Sequence, residues 1–360
     1  SEAHSRDVTI PLTITGTATI DTDYSTAFGS KGTKTLAGEN GRSSDLNAFY
    51  NPYGLAIDNS GNIYVADHNN SRIMKWIPGA IEGIKIASAS YPYDIQVDSN
   101  GNVYYSELYG ARVVKLTYEN GSYSSTVVAG GNGSGSSLKQ LNNPKGIHID
   151  SIGNIYIADS ENHRIVMYEP GNIEGLVVAG ENGQGSSSNQ LSWPEDIVVD
   201  SNQNIYISNS GNTNLIKWKS GSSDGVVVNT NNYNWLSLDS FDNVYLSNGQ
   251  NIYKLLQNND SYTTKLISSI SNSSIRALHV DLIGNIYFSD INNQRIGKIT
   301  IVPELFIAAG QTTGTVTFTS TNEVSDEEDE TIIITPSLTV TNATSDVTTV
   351  STVTITDDDD

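Results

Sequence analysis

Six positions in this 360-residue chain carry side chains that could converge on one ligand. They stand five residues before six recurring aspartates, Asp58, Asp98, Asp150, Asp200, Asp239 and Asp281, and they differ from copy to copy: Tyr53, Tyr93, Lys145, Glu195, Asn234 and Arg276. One residue later come Gly54, Asp94, Gly146, Asp196, Trp235 and Ala277. Aromatic faces supply flat contact area, while carboxylates, amides and cations supply directional hydrogen bonds, a mixture suited to fixing a polar ligand. Solvated loop ends, variable because nothing constrains them, would look the same in sequence.

What must position these side chains is a repeat. The marker aspartates are 40, 52, 50, 39 and 42 residues apart, a period that calls for repeat architecture. One unit reads as strands at 146–150, 154–159, 164–168 and 175–179, each rich in Ile, Val and Tyr and each bounded by turn residues. Four short strands in each of six units predict an all-β, six-bladed propeller, whose closure protects the sheet edges. The unit's Pro-x-Gly-Ile-x-x-Asp, Gly-Asn-Ile-Tyr-x-Ala-Asp and Asn-x-Arg-Ile resemble the NHL repeat family of propellers over roughly residues 31–300. The match is strong around Asp58, Asp150 and Asp281 and weaker around Asp239, whose unit lacks the Pro. The strand near Thr35 has no partners of its own and the last unit lacks a fourth strand, so the former is expected to complete the latter.

The variable residues begin the innermost strands and therefore ring the mouth of the central channel. Tyr53, Tyr93, Asp94, Lys145, Glu195, Asp196, Trp235 and Arg276 are the ligand-binding candidates. The same face carries three long, similar Gly-, Ser- and Asn-rich loops, at 38–50, 130–142 and 180–192; they read as part of a binding surface or as plain linkers between blades.

Other constellations read as scaffold. Acid and arginine recur five apart, as Asp67 with Arg72, Glu107 with Arg112, Asp159 with Arg164 and Asp290 with Arg295, and in the fourth unit both partners change together, to Asn209 and Asn214. Paired change suggests a mutual contact, and repetition round the ring argues for structure over function. His148 and His279 are equivalent residues on opposite blades, where some NHL-like lyases use a histidine-held zinc; without a third equivalent histidine they read as packed core residues. His68 and His163 read as unremarkable loop residues. A channel calcium with a carboxylate base, as in lactonase-like propellers, would draw on Glu195, Asp196, Asp94 and Asn234, but Lys145 and Arg276 would oppose a cation there. No nucleophile elbow, phosphate-binding loop or zinc-binding helix motif is present in the sequence.

The two ends differ in composition from the middle. Residues 1–28 and 299–360 hold 16 acids against a single base, Arg6, and carry period-two alternation of apolar and polar residues at 8–24, 314–320, 331–336 and 348–356. The expected domains are residues 1–28 and 301–360 as two parts of one split β-sandwich, with the propeller, residues 29–300, inserted between them. Gly-Thr-Ala-x-x-x-x-Asp-Tyr at 16–24, Glu-Glu-Asp-Glu-Thr at 327–331 and the closing Thr-Val-Thr-Ile-Thr-Asp-Asp-Asp at 352–359 resemble a Calx-β domain. That resemblance implies calcium at one sandwich end, held by Asp23, Glu327, Asp357, Asp358 and Asp359 with Glu323 nearby; carboxylate clusters suit calcium, though solvated acids at domain ends would read alike. The family's opening strand has no counterpart before Ser1, so the sandwich is expected to be open or completed by a neighbouring chain.

Cysteine is absent, which leaves the redox compartment open, and the formal net charge of -21 argues against nucleic acid and anionic membrane as partners. The chain has neither an apolar run of spanning length nor a signal peptide, and reads as a mature or excised piece. The functional expectation is a non-enzymatic, extracellular, adhesin-type recognition module of a bacterial surface protein, binding a glycan or polar peptide on another cell or surface and flanked by other domains of its parent chain. The alternative is an extracellular propeller enzyme of lactonase or lyase type with a metal in the channel; a third possibility is a plain structural spacer.

Overall fold

The computed structural model describes residues 7–13, 31–38, 40–258, 261–282, 284–300 and 313–319. The backbone divides into two compact units, Ser30–Ile301 and one drawn from the two ends of the chain. In the latter, strands Asp7–Thr13 and Thr313–Thr319 pair antiparallel, with Asp7 opposite Thr319 and Thr13 opposite Thr313. The sandwich calcium candidates Asp23, Glu323, Glu327, Asp357, Asp358 and Asp359 lie outside the described residues.

Ser30–Ile301 is an all-β, six-bladed propeller, with six four-stranded antiparallel sheets. Blade one comprises Pro52–Ile57, Ile63–Asp67, Arg72–Trp76 and Ile84–Ser88. Blades two, three and four begin at Pro92–Val97, Pro144–Ile149 and Pro194–Val199 and follow the same order. Blade five begins at Trp235–Leu238. Blade six comprises Ile275–Val280, Ile286–Asp290 and Arg295–Thr300 and takes its outer strand, Lys31–Ala37, from the start of the propeller. Ring closure is therefore a backbone ladder between the two ends of the repeat array, with Lys34 opposite Lys298.

The marker aspartates explain why the repeat is legible. Asp58 Oδ1 accepts the N–H groups of Ser60 and Asn62, and Oδ2 accepts the Asn62 amide at 2.8 Å and the Tyr64 hydroxyl at 3.0 Å. Asp98 repeats this with Asn102 and Tyr104, and Asp281 with Asn285 and Tyr287. One carboxylate thus closes the turn between first and second strands and ties it to the second strand, with Gly at positive φ completing it at Gly61, Gly101, Gly153 and Gly284. Apolar residues of adjacent blades fill the spaces between sheets. Ile95, Tyr105 and Leu116 of blade two pack with Ala56, Tyr64 and Ile73 of blade one, and Ile197, Ile207 and Trp218 of blade four with Tyr156, Ala158 and Ile165 of blade three.

The three long loops are held down by the five-apart pairs. Arg72 Nε donates to Asp67 at 2.6 Å, while its terminal amines donate to the carbonyls of Ser44, Asp45 and Ala48. Arg164 does the same with Asp159 at 2.7 Å and the carbonyls of Ser136, Ser137 and Gln140. Each acid also caps the start of its blade, Asp67 accepting Tyr50 N–H and Asp159 accepting Asn142 N–H. In blade four Asn209 accepts Ser192 N–H at 2.7 Å and donates to Asn214 at 3.0 Å, an amide pair in place of the ion pair. These pairs fix loops to blades, and Phe49, Leu141 and Leu191 from the same loops are fully buried.

Candidate functional site

The innermost strands do not run straight into the channel mouth. Pairing register shifts between Pro52 and Leu55, Pro92 and Ile95, Pro144 and Ile147, Pro194 and Asp196, and Ile275 and Ala277. These irregularities hold Tyr53, Tyr93, Lys145, Glu195 and Arg276. A bulge frees its residue from the strict alternation of the strand and re-aims its side chain. Proline opens four of these strands, and the residue before it, Asn51, Tyr91, Asn143 or Trp193, is left-handed with φ between 44° and 57°.

The structure brings Tyr53, Tyr93, Lys145, Glu195, Trp235 and Arg276, one side chain from each blade, into one contiguous cluster. In blade five the member is Trp235 and not the expected Asn234, whose buried side-chain oxygen has no hydrogen-bond partner. Lys145 Nζ lies 2.7 Å from Glu195 Oε2, and the Tyr93 hydroxyl donates to Glu195 Oε1. Lys145 also sits 5.7 Å above the Tyr93 ring. Tyr93 packs against Tyr53 at 5.2 Å, edge to face, and against Trp235 at 5.9 Å. Arg276 lies 5.4 Å from the Tyr53 ring and 5.3 Å from the Trp235 ring. Burial and the Glu195 charge together hold the Tyr93 hydroxyl in its protonated form, its pKa raised well above the ordinary phenol value.

Asp94 and Asp196 belong to a deeper layer. Asp94 accepts its neighbour Ile95 N–H at 2.8 Å with one oxygen and Ile147 N–H of the next blade at 2.8 Å with the other. Asp196 repeats this with Ile197 at 2.9 Å and Leu236 of blade five at 2.7 Å. Each carboxylate is a clasp between adjacent inner strands. Burial raises Asp94 to about 7, the two amide bonds working against it; Asp196 is raised by burial and then by the charge of Asp94. The cavity bounded by Tyr93, Asp94, Asp196, Trp235 and Arg276 is small, about 10 Å³, room for roughly one water.

A residue that reads in sequence as unremarkable joins this cluster. His68, in the 3-10 turn His68–Asn70, stacks on Tyr53 at 4.1 Å and meets Tyr91 and Tyr93 edge-on at 5.3 and 6.4 Å. Its Nδ1 is 2.9 Å from the Pro92 carbonyl, which can only accept, so Nδ1 carries the proton and Nε2 of the neutral ring holds a free lone pair. Burial lowers the His68 pKa, and the charge of Arg276 adds to that, against the opposing Pro92 bond. The signal was available: the position after the second strand reads His68, Leu108, Ser160, Ser210, Asn248 and Ile291 round the ring, with a titratable side chain in blade one alone.

His148 and His279 are pushed down to about 4 by burial, with Asp150 and Asp281 acting in the opposite direction. Among the described residues no three His, Cys, Asp or Glu side chains converge as a metal site. Both carboxylates at the axis already accept backbone N–H groups at each oxygen, and Lys145 and Arg276 face the same mouth. This donor set does not fit a channel cation.

Comparison with known proteins gives matches to the NHL repeat at residues 49–76 and 141–168. No curated protein matches. Among solved structures, a streptogramin B lyase superimposes with TM-score 0.53 at 12% identity, covering 77% of this chain and 100% of the other. A virginiamycin B lyase from Staphylococcus aureus, an inactive variant solved with quinupristin, gives 0.52 at 13% identity over 75% and 99%. A gluconolactonase from Xanthomonas campestris gives 0.58 at 12% identity over 84% and 99%. At these identities the likeness shows the fold.

The expectation of a non-enzymatic adhesin-type module needs correction on two counts. Solved propellers that share the fold over three quarters of the chain are lyases and a lactonase. The rings expected to offer a flat platform are also withdrawn from solvent, Tyr93 and Trp235 each being only 5% exposed.

Proposed function

We propose that this six-bladed propeller carrying NHL repeats is an enzyme of lactonase or lyase type, acting on an ester or lactone bond presented at the channel mouth. The observation that carries the reading is His68. A neutral imidazole with Nδ1 fixed to a carbonyl and Nε2 free is the arrangement required of a general base. Its lowered pKa keeps it in the basic form further into the acid range.

The surroundings support the same role. Arg276, close enough to depress the His68 pKa, gives the mouth a positive charge that favours an anionic group on the ligand. Tyr53 and Tyr91 flank the imidazole and hold its plane. Glu195, bonded to both Tyr93 and Lys145, is occupied and therefore a poorer base than His68. Two proton abstractions are open to Nε2. From water, it would yield acyl–oxygen cleavage with addition of water. From the carbon next to the one that bears the ester's alkyl oxygen, it would form a carbon–carbon double bond as the alkyl carbon–oxygen bond breaks and the carboxylate leaves, with no water added. Solved propellers alike in fold include enzymes named for each outcome, a gluconolactonase, a streptogramin B lyase and a virginiamycin B lyase.

The test is a panel of lactones and cyclic esters incubated with the full chain, with products weighed by mass spectrometry. Turnover that falls with His68→Gln supports the reading, and the product mass separates hydrolysis from elimination. A panel left untouched by the wild-type protein, or one turned over equally by the His68→Gln variant, would overturn it.

A further inference from the structure

Resting on the enzyme reading, we infer that the substrate bears a carboxylate beside its reacting bond and that the Arg276 guanidinium anchors it. Arg276 differs from the scaffold arginines. Arg72, Arg112, Arg164 and Arg295 each face an acid five residues away. Arg276 lies in no ion pair with an acid among the described residues, and its buried Nε has no hydrogen-bond partner. A buried, unpartnered donor on a charged group is costly, so its persistence points to a partner acquired in use.

The neighbours reinforce this. Tyr53 and Trp235, both within 5.5 Å of the guanidinium carbon, give it aromatic surfaces to lie against, which holds a cation without neutralising it. The acids that could neutralise it are otherwise engaged. Glu195 is paired with Lys145 at 2.7 Å and takes the Tyr93 hydroxyl. Asp94 and Asp196 accept backbone N–H groups at both oxygens. Burial and mutual repulsion also favour the neutral form of one of these two carboxyls. The mouth therefore presents one uncompensated cation whose planar fork matches a carboxylate in two-point contact. Arg276 and His68 both lie against Tyr53, so a carboxylate on Arg276 places the rest of the ligand next to the imidazole. Arg276 comes from the bulge of blade six, a position that is Tyr, Lys, Glu or Asn in other blades; the other cation there, Lys145, is paired with Glu195, so a guanidinium stands at this position once per ring.

The experiment titrates the full chain with gluconate and with benzoate, and with the neutral amides of both acids, while the Nε–Hε resonances of the arginines are followed by NMR. The expected result is saturable binding of at least one acid, a shift of one Arg resonance that is missing in Arg276→Gln, and weakening by about tenfold or more in that variant. Arg276→Lys, which keeps charge and loses the fork, should fall between. Amides binding as tightly as acids, acid binding undiminished in Arg276→Gln, or no saturable binding of either acid would overturn the inference. Unfolding of Arg276→Gln is checked by its melting curve, and Arg276→Lys then carries the comparison. The two proposals fail separately: carboxylate binding at Arg276 without turnover of any lactone or ester removes the enzyme reading alone. Turnover with a KM indifferent to Arg276→Lys and Arg276→Gln removes the carboxylate anchor alone.

Discussion

The imidazole of His68 lies face to face with the ring of Tyr53, centroids 4.1 Å apart and planes 9° from parallel. Two blade-one residues that are fifteen positions apart in sequence thereby form one slab at the channel mouth. The slab is anchored on both sides, by Pro92 at His68 Nδ1 and by Ser289, which donates to the Tyr53 carbonyl at 2.6 Å. An imidazole fixed by stacking and by one hydrogen bond loses little orientation freedom when a substrate arrives.

On a lactone or ester that the protein turns over, His68→Gln should lower kcat by roughly 10²- to 10⁴-fold, the range for a lost general base. The wild-type kcat/KM should fall on the acid side only below the ordinary imidazole value of about 6.5, because burial lowers the His68 pKa and protonation removes the base. The variant's residual activity should lack that acid limb. A variant retaining the same limb would assign it to another group.

The Asp159 and Arg164 pair sets up a stability test. Both side chains are buried, and removing one partner leaves a charge without its counterion. Arg164→Gln should destabilise the propeller by about 3–5 kcal/mol, read from denaturant midpoints. Replacing both, as Asp159→Asn with Arg164→Asn, copies the amide pair that blade four already uses at Asn209 and Asn214. The double variant should therefore be less destabilised than the single one. A double variant that is worse would mean that the arginine's bonds to the loop carbonyls of Ser136, Ser137 and Gln140 outweigh the charge pairing.

What could be read from sequence follows from how local each feature is. The marker aspartate closes its own turn within six residues, so Asp58-x-x-Gly61-Asn62-x-Tyr64 carries its structure in its spacing. Blade number and closure by Lys31–Ala37 follow from counting strands. The ring positions are legible because equivalent residues differ, and the bulges gather them at one mouth. Burial of Tyr93 and Trp235 was not legible, since it depends on how six blades converge. The two inter-blade clasps of Asp94 and Asp196 are illegible for the same reason, as each joins residues 40 to 53 positions apart. The repeat position of His68 varies round the ring as much as the bulge positions do, so that residue too is legible in the sequence.

Stability against pH should report His148 and His279. Each is lowered to about 4 by burial, so the unfolded chain binds more protons than the folded one between about pH 6.5 and 4. Stability due to them is present above 6.5 and lost as pH falls through that window, by at most about 1.4 kcal/mol per pH unit for each. Asp94, raised to about 7, acts with the opposite sign, its contribution being lost as pH rises from about 4 towards 7. Comparing wild type with a His148→Gln, His279→Gln double variant cancels the Asp94 part. The variant's denaturant midpoint should decline less between pH 6.5 and 4.5; parallel declines would show that neither histidine is held neutral.

The left-handed residues before the blade prolines give the last prediction. Asn51 and Asn143 occupy this conformation at φ 55° and 57°, which Asn tolerates well, whereas blade four places Trp193 there at φ 44°. The indole is 44% exposed and meets the His163 ring at 5.5 Å, its one ring contact among the described residues. Trp193→Asn keeps the backbone N–H bond to His163 and the shape of the turn while relieving the conformational cost. It should raise stability by about 1 kcal/mol. Tyr91→Asn, at φ 51° in blade two, relieves the same cost but also removes the ring lying 5.3 Å from His68. That substitution should gain less stability and lower kcat, because it frees one side of the imidazole. If Trp193→Asn destabilises instead, the indole's contacts outweigh its backbone strain and the residue is there for packing. If it stabilises and leaves kcat unchanged, Trp193 has no part in the reaction. A stabilised protein with raised KM would show that the strained indole is kept at the rim for the ligand.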